Sequence, residues 1–100
     1  MAALGLKQVS VTASAQSLTT LLGLSAGQRF NSCDFIVLTG AETVYGGPST
    51  VTNVPANAGF KFTSTLTYSL PNSSGFQGWH TDKIFLVGTG SCTALLTFLD

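Results

Sequence analysis

Arg29-Phe30-Asn31-Ser32-Cys33-Asp34-Phe35-Ile36-Val37-Leu38 is the stretch that decides the fold. Side chains alternate along an extended chain, so Cys33, Phe35 and Val37 share one face and Asp34, Ile36 and Leu38 the other. Apolar residues on both faces predict an interior strand, or one whose outer face is covered by a partner subunit. Cys92 to Leu99 reads the same way and predicts an interior closing strand. Gln8 to Ala13 is different. Val9, Val11 and Ala13 alternate with Gln8, Ser10 and Thr12, the pattern of a half-buried strand.

Between these lie shorter elements. Ser17-Leu18-Thr19-Thr20-Leu21-Leu22-Gly23 spaces its leucines three and four apart, with an N-cap candidate and a glycine stop, and predicts one or two helical turns. Further short strands are expected at Thr43 to Tyr45, at Thr50 to Val54, through Phe60 to Leu70 and at Lys83 to Val87. Pro71 to Asp82 is the longest irregular segment. Gly88-Thr89-Gly90-Ser91 reads as a tight β-hairpin connection. Short strands at close spacing with Gly-rich turns predict an all-β fold. The expected architecture is a β-sandwich or jelly-roll-like barrel of short antiparallel strands with at most one short helical turn. Residues 1–100 form a single β-sandwich domain in this reading.

Composition sets the surface. Charged residues are 8% of the chain, against about 25% in an ordinary soluble domain, and the formal net charge is zero. Ser and Thr fill about a quarter of all positions instead. A neutral, hydroxyl-rich surface suits a protein packed against copies of itself or a larger body, because free monomers usually stay soluble through interspersed charge. Lys7, Arg29, Lys61 and Lys83 are scattered singly, which argues against nucleic acid as a partner. No apolar run approaches the length of a membrane span, and no basic segment precedes the opening apolar residues. The chain is therefore expected to work without a membrane and without export. Cys33 and Cys92 both fall in expected strands. Buried free thiols are the favoured reading, with a single disulfide between them left open.

Catalytic patterns are weak. His80 with Asp82 and the many serines permits a Ser-His-Asp triad only arithmetically. There is no Gly-x-Ser-x-Gly elbow, and Asp82 lies too near His80 in sequence to orient it convincingly. The cysteines, His80 and the few carboxylates lack metal-ligand spacing. Four carboxyl side chains make a paired-carboxylate enzyme improbable. The expectation is a protein that is not an enzyme and that uses no cofactor or metal. Trp79 with Phe76 and Tyr45 could form a sugar-stacking platform; anchoring on the core or on a neighbour is the favoured alternative.

Several stretches carry a resemblance. They are Ala15-Gln16-Ser17-Leu18-Thr19-Thr20-Leu21-Leu22-Gly23 after the opening strand, Ser25-Ala26-Gly27, and Phe35-Ile36-Val37-Leu38. Val44-Tyr45-Gly46-Gly47, Val51-Thr52, Ala58-Gly59-Phe60 and Lys83-Ile84-Phe85-Leu86-Val87-Gly88-Thr89-Gly90-Ser91 follow in order. Together they resemble small β-rich structural virion proteins of tailed bacteriophages. Pro71 to His80 departs from that pattern as an insertion. The resemblance implies a virion component made in the host cytoplasm and carried on the capsid surface, a decoration or cement protein. Its partners would be the major capsid protein and copies of itself, with a trimer expected from shell symmetry. The alternative it leaves is a tail or fibre component acting as a carbohydrate- or receptor-binding module. The contact residues expected are Tyr45, Phe76, Trp79 and His80, with Leu4 and Leu6 in an apolar arm from Ala2 to Leu6.

Overall fold

The computed structural model describes residues 5–40, 42–52, 59–70 and 79–99. Among them ten strands and one helical turn follow one another: β1 (Leu6–Val11), β2 (Gln16–Ser17), α1 (Leu18–Leu21), β3 (Arg29–Phe30), β4 (Ser32–Thr39), β5 (Val44–Gly47), β6 (Phe60–Phe62), β7 (Tyr68–Ser69), β8 (Trp79–His80), β9 (Phe85–Gly88) and β10 (Cys92–Leu99).

The pairing obeys one rule. The first strand pairs with the tenth, the second with the ninth, the third with the eighth, the fourth with the seventh and the fifth with the sixth, all antiparallel. The chain is thus one long hairpin ribbon, folded at the β5–β6 end. Two further pairings, β10 with β4 and β5 with β9, wrap that ribbon into a sandwich. Sheet A runs β1-β10-β4-β7 and sheet B runs β2-β9-β5-β6, while β3 and β8 bridge the corner as a separate two-stranded ladder. A doubly wound ribbon of this kind is a jelly roll, which confirms the all-β sandwich expected from the sequence.

Both interior positions of sheet A belong to the strands with apolar residues on both faces, β4 and β10. The inner faces of the two sheets meet in one core. Val9, Val11, Cys33, Phe35, Val37, Ala94, Leu96 and Phe98 come from sheet A, and Val44, Phe62 and Leu86 from sheet B. Phe35 sits 5.3 Å from both Phe60 and Phe62, and Phe60 stacks on Tyr68 at 4.3 Å. Gly46 permits that stack, because a Cβ there would fall on the Phe60 ring. At the other end Phe30 meets Phe98 edge-on at 5.0 Å, and Trp79 packs against the same core. Ser17 caps α1 by accepting the Thr20 N–H, and Gly23 at φ 70° ends the turn as the sequence led one to expect.

Five expectations need correction. The strand expected over Arg29 to Leu38 is broken at Asn31, with β3 in the ladder with β8 and β4 in sheet A. Trp79-His80 is not irregular but forms β8, held by its ladder to Arg29-Phe30. Gly88 to Ser91 is no hairpin: β9 lies in sheet B and β10 in sheet A, so the segment crosses between sheets. Residues 50–52 are not a strand; Pro48 closes a turn in which its carbonyl accepts the Val51 N–H. Ala13 is exposed beyond the end of β1 instead of continuing its buried row. The thiols Cys33 and Cys92 are free and buried, so the disulfide left open above is not formed.

Candidate interaction surface

The two sheets treat their outer faces differently. On sheet B the outward residues Tyr45 and Val87 face each other across the β5–β9 ladder. Val51, in the connection after β5, folds over them and makes a second small core with Phe85 at its margin. Tyr45 is only 8% exposed as a result.

Sheet A has no such cover among the described residues. Its outward positions are Leu6, Gln8 and Ser10 on β1, then Thr93, Leu95 and Thr97 on β10. Asp34 and Ile36 on β4 and Ser69 on β7 complete the row. Leu95 lies directly opposite Ile36, and on its other side opposite Gln8. A bulge in the β4–β10 register at Thr93/Ala94 leaves Leu38 without a cross-strand partner, and Leu38 is 43% exposed. Leu6 is 67% exposed at the start of β1. Four aliphatic side chains and a set of hydroxyls thus share one open face, on which Asp34 is the one ionisable group at the positions named. Such a face loses little solvation of charge when another surface covers it.

A second feature is polar. Thr81 is fully buried in the turn after β8, and its Oγ1 accepts the Gln28 N–H at 2.9 Å. Thr19 donates to Asp82 Oδ1 at 2.6 Å, so its single proton is committed and the 2.7 Å contact with Thr81 has Thr81 donating. The chain of donors therefore runs Gln28, Thr81, Thr19, Asp82, tying α1 to the β8–β9 turn. His80 Nδ1 accepts the Asp82 N–H at 3.2 Å and lies 3.6 Å from Asp82 Oδ2. A triad would need Nδ1 to donate to the carboxylate and a hydroxyl on the far nitrogen. Here the Thr19 hydroxyl bonds the carboxylate itself, an arrangement that positions a turn.

A shallow groove of about 340 Å³ at the end of sheet A is lined by Ser10, Thr12, Thr39, Ser91 and Thr93, with Cys92 at its base. Burial holds the Cys92 thiol above its ordinary value, and the nearby Glu42 carboxylate adds to the shift. Cys33 is pushed up further by burial, with Asp34 adding to it. Both thiols are thereby favoured in the protonated form, whereas the thiolate is the reactive one.

The residues singled out from the sequence are thus dispersed. Leu6 lies on the open face of sheet A. Tyr45 is buried under Val51, and Trp79 leans on the main core, so the two rings belong to separate clusters and share no platform. His80 is half-buried beside Asp82. Leu4 and Phe76 lie outside the described residues. Sequence reasoning missed Leu95, whose signal was the double-faced apolar pattern of the last strand.

No protein family, curated protein or solved structure matches the chain.

Proposed function

We propose that the protein is a structural component of a phage particle, a decoration or cement protein that packs through the outer face of sheet A. The observation that carries this reading is the face of Leu6, Ile36, Leu38 and Leu95, which no other described residue covers and on which Asp34 is the one charge among the described positions, set among hydroxyls. A face of this character is suited to lie against a protein surface, where burial of apolar area supplies the attraction and few charges need to be desolvated. A specific contact of this sort usually buries about 1,600 Å² in total. The jelly-roll winding is compatible with it, since that fold recurs in viral capsid domains, although also in lectins and cupins. The very low charge of the whole chain supports the same reading.

The test is stoichiometry in purified particles by quantitative mass spectrometry against the major capsid protein. Hundreds of copies in near-integer ratio are expected. A handful of copies would move the protein to tail or fibres, and absence from the particle would overturn the reading.

A further inference from the structure

The open side of β1 carries a second kind of information, in its backbone. Phe98 donates its N–H to the Gly5 carbonyl at 2.9 Å, which fixes the phase of the β1–β10 ladder. In an antiparallel ladder mutually bonded pairs recur every second residue, so Lys7, Val9 and Val11 turn their backbone groups toward β10. Leu6, Gln8 and Ser10 turn theirs the other way. Thr12 belongs to that outward row too, and there the second sheet meets it: Gly88 donates to the Thr12 carbonyl at 2.8 Å. Between Leu6 and Ser10 no described backbone group does. Three N–H and three C=O groups therefore face outward in a row.

The other sheet edges differ. β7 and β2 have two residues each and β6 three, too short to template a partner. β1 has six residues, with no proline and no bulge, and Lys7 is its one charge. Proteins commonly guard long edges with prolines, bulges and charges, and an edge that carries a single lysine as its guard is open to pairing with another strand.

We infer that β1 is the seam of a two-fold dimer, pairing antiparallel with β1 of a second copy about an axis through Gln8. A second copy is the occupant that the strand itself specifies. Antiparallel self-pairing sets Gln8 opposite Gln8, and Leu6 opposite Ser10 in both directions, so every outward donor meets an acceptor in three mutually bonded pairs. No like charges oppose one another, because Lys7 falls opposite Val9. The two copies of sheet A become one eight-stranded sheet, and their outer faces join into one continuous apolar and hydroxyl-rich surface. The inference deepens the packing role proposed above and rests on it for the use of that surface. The dimer itself is read in solution without any particle, so the two can fail separately.

The experiment is analytical ultracentrifugation of the full chain over a concentration series, with three variants. Gln8→Pro removes an outward N–H that takes no part in the β1–β10 ladder, a position where an edge strand tolerates proline. Gln8→Lys sets two like charges across the axis and leaves the fold untouched, since Gln8 is exposed. Both are expected to lower the dimerisation constant at least about tenfold, with added salt restoring part of the Gln8→Lys loss and none of the Gln8→Pro loss. Gln8→Cys is expected to oxidise to a covalent dimer, because bonded antiparallel pairs hold their Cα atoms about 5.5 Å apart. Ser25→Cys, on an exposed turn, is expected to stay monomeric. A chain that is monomeric throughout, one that forms a trimer, or a dimer indifferent to both Gln8→Pro and Gln8→Lys would overturn the inference.

Discussion

The two outer faces of this sandwich are built from similar residues and end differently. Tyr45 and Val87 on sheet B are closed over by Val51 from their own chain. Ile36 and Leu95 on sheet A pair with each other across the ladder and stay half-exposed. An apolar side chain in a strand therefore does not report by itself whether its face is finished. What decides is whether the following connection returns over it. In this chain the connection after β5 does so, and the crossover from β9 to β10 leads away.

That difference can be broken first at the core that both sheets share. Phe35→Ala removes a fully buried ring in contact with Phe60, Phe62 and Tyr68. It is expected to cost about 3–5 kcal/mol in chemical denaturation, enough to unfold a marginal domain. Its neighbour Ile36→Thr, on the outer face, is expected to cost under about 1 kcal/mol while weakening association. Equal losses of stability from the two would show that the outer face is core.

The cover itself comes next. Val51→Asp places a carboxylate at a site 3% exposed between Tyr45 and Val87 and is expected to lower stability by about 2–4 kcal/mol. Leu38→Asp on sheet A is expected to change stability by no more than about 0.5 kcal/mol. Thermal denaturation of the pair reads the asymmetry directly.

Gly46→Ala sharpens the account of how sheet B meets the core. The added methyl displaces the Phe60 ring from its stack on Tyr68, and a loss of about 1–3 kcal/mol is expected. Restoration by a second change, Phe60→Leu, would identify the ring as the cause; no restoration would place the strain elsewhere.

The last effect concerns pH and is absent near neutrality. Both thiols sit above their ordinary value of 9.0 in the folded chain, chiefly through burial. The folded state then holds protons that the unfolded state releases above about pH 9, so stability present below that pH falls as pH rises. Each thiol contributes at most about 1.4 kcal/mol per pH unit. Cys33→Ala is expected to flatten the decline between pH 9 and pH 11; an unchanged slope would mean the thiol does not contribute.

Much of this was legible in the sequence, for a physical reason that also marks its limit. β10 runs from Cys92 to Leu99 as read, and β4 and β10 are interior as read, because burial on both faces leaves its trace in both alternating sets. The helical turn was legible from Ser17 and Gly23, whose roles are local. Trp79-His80 was not, since a two-residue strand has no periodicity and owes its existence to Arg29-Phe30 about fifty residues away. Gly88 to Ser91 carries the same turn residues whether the chain returns to its own sheet or crosses to the other. The open face was half legible: Ile36 and Leu38 announced it, while Leu95 joins them only through a register that no single strand contains. Trp79 packs on the core, the reading favoured over a sugar platform, but where each of the rings Tyr45 and Trp79 would sit was not legible. An aromatic ring is equally at home under a loop, on a core or at an interface.

The central claim is that assembly covers sheet A and leaves sheet B as the chain already made it. Hydroxyl-radical footprinting of the free protein and of purified particles tests it on side chains directly. Leu6, Ile36, Leu38 and Leu95 are expected to be oxidised in the free protein and protected in the particle, with Tyr45, Val51 and Val87 protected in both. Oxidation of the four sheet A residues that persists unchanged in the particle would contradict the account.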